Sequence, residues 1–195
     1  MKGLFDWEKP LFETFIKQGE TVVVLAAGGG REVFALAKQG CNVRGYEADG
    51  KMVASAQRFF RENGMNIQFE KVGYNEVPDN KCDVFVFGWG VYNHFWGREN
   101  RIALLQKAKN TLNADGKIII SFWAFSPLAK RRYDLVQRYN CKFFKKNIEY
   151  ASCLKKNCWG KYYSEKEIAG EAAAAGLRVE FFSSKDYGKA VLGVM

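Results

Sequence analysis

Three consecutive glycines, Gly28, Gly29 and Gly30, stand between the apolar run Val22–Ala27 and a stretch with helical spacing, Arg31–Gln39. Glycines at such a junction let backbone N–H groups come close to a ligand, and the following helix turns its positive end toward negative charge. Glu47 follows 19 residues after Gly28, at the end of a second strand-like stretch. An acid so placed suits the two hydroxyls of a nucleotide ribose. The plain alternative is a tight strand–helix turn and a surface acid. The only histidine, His94, lies in GWGVYNHFWG (Gly88–Gly97) among aromatic residues. It is a candidate base or ligand contact, and equally a residue that packs and hydrogen-bonds. Two nucleotide patterns fail. A Walker loop needs Gly-Lys-Ser/Thr, which is missing, and a G-x-G-x-x-G fingerprint begun at Gly28 or Ala26 meets Val33 or Arg31 in its third position.

The elements that must hold these residues alternate along the chain. Pro10–Gly19 reads as a short helix, with proline in its first turn and glycine past its end. Thr21–Ala27 is a continuous apolar run, as in a parallel strand buried on both faces. Arg31–Gln39 is predicted as a helix, Asn42–Glu47 as a strand, Lys51–Asn63 as a helix and Ile67–Val72 as a strand. Asp83–Phe87, the helix Arg98–Leu112 and Lys117–Phe122 follow, the last strand entered through the turn Asn113–Gly116. Ser164 with Glu167 three residues later forms a capping-box start for a helix ending at Ala175. Leu177–Ser184 and Lys189–Val194 close the chain as two strands joined by Asp186-Tyr187-Gly188, a hairpin signal. Strand–helix alternation implies βαβ units and a mostly parallel, doubly wound sheet of seven strands. A closing antiparallel hairpin is unusual for a dinucleotide-binding dehydrogenase sheet.

At 195 residues the chain is expected to form one domain with a substantial core. No apolar run has the length of a membrane span, and MKGLFDWEKP carries acids and a proline where a secretory signal has its apolar stretch. Five cysteines without paired metal-like spacing suit reduced thiols, so a cytoplasmic location and no metal site are expected. Of the net charge of +9, a charge of +8 falls within Ala129–Lys161, which is also rich in Tyr and Phe. Such a segment binds acidic or phosphate-bearing partners, or forms amphipathic helices with lysines outward and aromatics inward.

From Val22 to Ala56 the chain resembles motif I and its sequel in the class I S-adenosylmethionine-dependent methyltransferases. VVVLAAGGGRE is similar to that family's first strand and G-x-G-x-G loop, with Gly28 and Gly30 as the second and third glycines and Ala26 in place of the first. GYEAD matches the end of the second strand, and DVFVFGWGVYNHF through LNADGKIIISF resembles the fourth strand to the fifth. The resemblance implies a Rossmann-like fold, S-adenosylmethionine as cofactor, and cofactor contacts at Ala26, Gly28, Gly30, Arg31, Glu47, Ala48, Met52, Tyr74, Asn75, Gly88 and Trp89. Glu47 would hold the ribose. The chain departs from the family at Val24, where an acid is frequent, and at Tyr74–Asn75, where Gly-Asp is common after the third strand. The resemblance further implies that residues 126–163 form a helical acceptor-binding lid together with the N-terminal helix of residues 1–20. His94 is then a candidate catalytic base, and Tyr92, Asn93, Trp96, Arg131 and Arg132 candidate acceptor contacts. The signatures of exocyclic-amine and cytosine-C5 DNA methyltransferases are absent, so DNA is not expected as acceptor. The expected acceptor is a small acidic or aromatic molecule, methylated on N or O, by a monomer or homodimer. An RNA acceptor using the basic segment, and a non-catalytic nucleotide-binding protein of the same fold, are the alternatives.

Overall fold

Val22, Val23, Val24 and Leu25 are all buried in the central strand β1 (Thr21–Leu25), which pairs in parallel with β2 (Asn42–Glu47) on one side and β4 (Cys82–Phe87) on the other. The computed structural model describes residues 3–125, positions 131, 134, 135 and 138, residues 151–153 and residues 158–195. Strand β3 (Gln68–Lys71) lies outside β2, and β5 (Leu112–Ala124) lies beside β4. The terminal hairpin adds β10 (Gly188–Val194) antiparallel to β5 and β9 (Leu177–Ser183) antiparallel to β10. The order is therefore β3-β2-β1-β4-β5-β10-β9. These are the seven expected strands, with the last one reversed and inserted. A short eighth, β8 (Tyr162–Tyr163), pairs with β5 at Trp123 and Ala124.

Alternation along each strand divides the core into two layers. Val22, Val24, Val84, Val86 and Ile119 face helices α1 (Glu8–Phe15), α2 (Arg31–Lys38) and α3 (Gly50–Glu62). Val23, Leu25, Phe85, Phe87, Ile118 and Ile120 face α4 (Arg98–Thr111) and α5 (Glu165–Ala174). Each such side chain removed from water contributes about 1.5–3 kcal/mol, so a sheet covered on both faces tolerates no charge in these runs. Ser164 caps α5 in the predicted reciprocal arrangement with Glu167.

Three local expectations differ. Helix α1 begins at Glu8 and stops at Phe15, because the first-turn N–H groups need no helical acceptor and Pro10 is tolerated there. The turn Asn113–Gly116 becomes a wide interruption inside β5. Cys82 pairs with Leu112 and Val84 with Lys117, with Asp115 in left-handed backbone at φ 62° between them. The segment 126–163, expected as helical, is helical at Arg131, Asp134, Leu135 and Arg138 but carries an antiparallel pair, β6 (Ala151–Cys153) and β7 (Cys158–Gly160). Extended pairing lets Gly160 fit against the Trp123 ring, where a Cβ would sit 2.5 Å from a ring carbon. Among the described residues no helix is long and apolar enough to cross a membrane, and no group of His, Cys, Asp and Glu could hold a metal ion.

Candidate active site

The chain leaves β3 at one edge and re-enters the sheet at β4, on the far side of β1. The carboxyl ends of β1 and β4 thus form the switch point where doubly wound sheets hold ligands. Ala26 follows β1 in left-handed backbone at φ 55°, and Gly28 and Gly30 are also left-handed at 55° and 85°. An added Cβ at Gly28 or Gly29 would meet nothing within 4 Å, so the loop presents open backbone there. Gly30 differs. A Cβ on it would stand 2.7 Å from the Phe60 ring, and its N–H is given to the Ala27 carbonyl. It is the packing glycine that lets α2 lie close to α3, not a position facing the cleft. Gly88 performs the corresponding service after β4: a Cβ there would lie 2.3 Å from the Ala26 carbonyl oxygen, and the Gly88 N–H donates to Leu25 O at 2.7 Å.

A cleft of about 340 Å³ opens above this junction, within the range of roughly 300–1,000 Å³ common for ligand sites. Ala26, Glu47, Ala48, Tyr74, Asn75, Trp89 and His94 all line it, drawn from loops after β1, β2, β3 and β4. The Glu47 carboxylate accepts from Gly28 N at 2.8 Å through one oxygen, and from Ala48 N at 2.8 Å and Asp49 N at 3.0 Å through the other. Since an ionised carboxylate offers about four acceptor positions, a partly exposed one retains capacity for a ligand hydroxyl. Tyr74 is 88% exposed at the rim, and Asn75 adopts φ 61°, a conformation asparagine tolerates better than most side chains. Glu76, beside them, accepts from Gly73 N at 2.9 Å and also lines the cleft.

After β4 the backbone turns at Gly90 and forms a 3₁₀ helix, Val91–His94. In a 3₁₀ turn residues three apart share a face, so Val91 and His94 both line the cleft, with Phe95 after them. His94 is exposed and meets the Trp123 ring edge-on, centroids 5.7 Å apart. Tyr92 and Asn93 point the other way and are fully buried, which corrects their expected role as acceptor contacts. The Tyr92 hydroxyl donates to Glu171 at 2.7 Å. Burial, with the Glu171 charge beside it, pushes that phenol well above its ordinary value and keeps it a neutral donor. Asn93 donates to Gly90 O at 2.9 Å and to the Tyr187 hydroxyl at 3.3 Å, and accepts from Trp123 N at 2.7 Å. It shapes the turn that carries His94.

Other expected residues stand apart from the cleft. The Arg31 guanidinium turns away to Glu8 and Glu32 and lies 4.1 Å over the Phe5 ring, because two buried carboxylates compete for it. Burial raises the Glu32 carboxyl, against the opposing pull of Arg31. Met52 is half exposed on the first turn of α3, and Trp96 is 61% exposed beyond the turn; neither lines the cleft. Arg131 is helical and exposed, while Arg132 falls outside the described residues. Sequence reasoning passed over Glu76, Val72, Val91 and Phe95. The three apolar residues had no distinguishing signal, but an acid three residues after Gly73 was a usable one for Glu76.

Residues 22–116 match a family model described as a methyltransferase domain. No curated protein sequence is significantly similar to the chain. Among solved structures, an S-adenosylmethionine-dependent methyltransferase from Methanosarcina mazei superposes with a TM-score of 0.76 at 13% identity, over 100% of this chain and 99% of that one. A second such enzyme, from Aquifex aeolicus, gives a TM-score of 0.69 at 20% identity over 98% of this chain and 91% of its own. Magnesium protoporphyrin IX methyltransferase from Synechocystis, solved with bound SAH, gives 0.68 at 16% identity over 96% and 80%. These likenesses establish the shared fold. Residues 22–116 thus match a methyltransferase domain that spans the strands and loops building the cleft, and the chain shares the fold of S-adenosylmethionine-dependent methyltransferases.

Proposed function

We propose that this cleft holds S-adenosylmethionine and that the enzyme methylates a small acidic or aromatic acceptor at nitrogen or oxygen. The observation that carries the reading is the convergence of Ala26, Glu47, Ala48, Tyr74, Asn75, Trp89 and His94 on one cavity from four separate loops. The residues fit the cofactor: Gly28 and Gly29 leave open backbone, Glu47 presents a carboxylate for ribose hydroxyls, and Glu76 offers an acceptor where the chain lacks the frequent Gly-Asp acid. Tyr74 and Asn75 would border the adenine. When bound, the cofactor supplies an electrophilic methyl group on a sulfonium. The chain's own task is then orientation and exclusion of water, which the ring of Trp89 and the apolar Val91 and Phe95 serve. His94, which lines the cleft, would take the proton that an N–H or O–H acceptor must lose.

The cleft's described lining, mostly apolar with two carboxylates, Glu47 and Glu76, and no Lys or Arg, favours an aromatic acceptor over an acidic one and disfavours RNA phosphates for the same reason. Titration calorimetry tests the cofactor half. The wild-type chain should bind S-adenosylmethionine, and Glu47→Ala, which loses charge-assisted hydrogen bonds of about 1.5–3 kcal/mol, should bind it roughly 10- to 100-fold more weakly. Unchanged affinity in Glu47→Ala would refute the ribose assignment. Transfer of a labelled methyl group to RNA, with none to carboxylate-bearing or aromatic small molecules, would overturn the acceptor class.

A further inference from the structure

Behind Trp89 lies a cluster of three charged side chains that the cleft does not use directly. Glu8 comes from α1, and Arg31 and Glu32 from the first turn of α2. Glu8 is 1% and Glu32 5% exposed. Two carboxylates share one guanidinium there, and buried charges persist only when their remaining hydrogen-bonding positions are filled. Arg31 grips Glu8 with both terminal nitrogens and gives one of them also to Glu32 at 2.8 Å. Two further donors are backbone N–H groups. Phe5 N donates to Glu8 at 2.8 Å, and Trp89 N donates to Glu32 at 3.1 Å.

A continuous chain of charge-assisted hydrogen bonds therefore runs from the N–H of Phe5 through Glu8, Arg31 and Glu32 to the N–H of Trp89. The same two end residues also touch directly, ring to ring, at 5.0 Å between centroids. On its other side the Trp89 ring lies 6.1 Å from Tyr187, which stacks on Trp7 at 5.0 Å and 19°. Trp89 is thus held at its backbone by Glu32 and at its ring by Phe5 and Tyr187, while it remains 53% exposed and lines the cleft.

We propose that Glu32 is a positioning residue for methyl transfer: acting through the Trp89 N–H, and tied by Arg31 to Glu8, it makes the N-terminal segment part of the wall that faces the acceptor. This rests on the cleft being the cofactor and acceptor site. The posture of Trp89 is then a property of the whole cluster, so a change at Glu8 is felt at Trp89 through Arg31 and Glu32.

Fluorine NMR on fluorotryptophan-labelled protein tests it, with the Trp89 signal assigned through Trp89→Phe and S-adenosylhomocysteine, the demethylated product, as ligand. Glu8→Gln and Glu32→Gln should each move the Trp89 signal of the ligand-free protein, and the double variant should move it no further than Glu32→Gln alone, as expected of groups acting in one network. S-adenosylhomocysteine should bind these variants within about threefold of wild type, yet shift the Trp89 signal less in Glu32→Gln than in wild type. A Trp89 signal unmoved by Glu8→Gln, or a ligand-induced shift unchanged in Glu32→Gln, overturns the proposal. If the charge variants do not fold, Arg31→Lys, which keeps the positive charge but loses the two-pronged grip on Glu8, carries the same test: displacement of the Trp89 signal supports the coupling and an unmoved signal overturns it. Failure of the wild-type chain to bind S-adenosylhomocysteine overturns the proposed function and this role together, whereas binding with an unresponsive Trp89 overturns the role alone.

Discussion

At the scale of single residues, the departures from the family pattern have local structural explanations. Ala26 stands where the G-x-G-x-G loop has its first glycine and keeps the left-handed backbone that glycine would adopt, at φ 55°. Left-handed backbone costs an L-residue about 1–2 kcal/mol, and glycine in exchange loses about 0.5–1 kcal/mol through its freer unfolded chain. Ala26→Gly should therefore raise stability by about 0.5–1 kcal/mol, measurable as a higher urea midpoint with an unchanged slope. Val24, where an acid is frequent, is fully buried between β2 and β4 and belongs to the core. A carboxylate at that point would be desolvated without any partner described around it. The distinction between Gly28 and Gly30 is of the same kind. Both are left-handed, but only Gly30 has an aromatic ring where its Cβ would be.

At the scale of elements, the start of α5 shows a motif read from sequence taking effect through charge. The Ser164 hydroxyl accepts from Glu167 N at 3.3 Å, and the Glu167 carboxylate accepts from Ser164 N at 2.9 Å and from Lys161 Nζ at 2.6 Å. Burial acts to raise the Glu167 carboxyl, but these hydrogen bonds outweigh it and hold it below its ordinary value of 4.5. A depressed carboxyl contributes stability that is fully present above the unfolded value and is lost as pH falls through the folded one. Melting temperatures measured from pH 6 down to pH 3 should therefore fall less steeply in Glu167→Gln than in wild type. A parallel decline would dismiss the contribution. Ser164→Ala should cost about 1 kcal/mol at neutral pH, the usual loss for an N-cap. The 3₁₀ turn after β4 is the counterexample, an element that its sequence did not announce. The string VYNH carries no caps or periodicity, and only its pairing with Ser121 and Trp123 on β5 decides that His94 faces the cleft and Tyr92 the core.

At the scale of the whole molecule, one buried network joins α4, α5 and the turn that carries His94. Arg101 is fully buried and donates to Glu171 at 2.6 Å and to Phe95 O at 3.1 Å, and Tyr92 donates to the same Glu171. Glu171→Ala would leave the guanidinium buried without its counter-charge, at a cost of about 3–5 kcal/mol. Urea unfolding should report that loss, and the cleft should lose cofactor affinity with it, because Phe95 and His94 sit on the far side of the same turn. A loss under 1 kcal/mol would mean that water reaches Arg101 in the variant. The N-terminal segment and the terminal hairpin meet likewise, Trp7 stacking on Tyr187, so the two ends of the chain close around the switch point.

Much of this was already in the sequence. The apolar run of β1, the glycines, Glu47 at its spacing and the closing hairpin are local signals. Periodicity, turn chemistry and distance along a βαβ unit are enough to place them, and they led to the fold, the cofactor and most of the cleft. What the sequence left open depends on which way a side chain faces once distant segments have packed. Tyr92 and His94 are two residues apart and equally plausible as ligand contacts, yet one is sealed behind Glu171 and the other opens to the cleft. Arg31 follows the glycine loop, where the resemblance implies a cofactor contact, and the arrival of Glu8 from α1, 23 positions earlier, draws it away together with Glu32. Long-range charge pairing and the facing of irregular turns are properties of the assembled core, so tertiary structure alone could decide them.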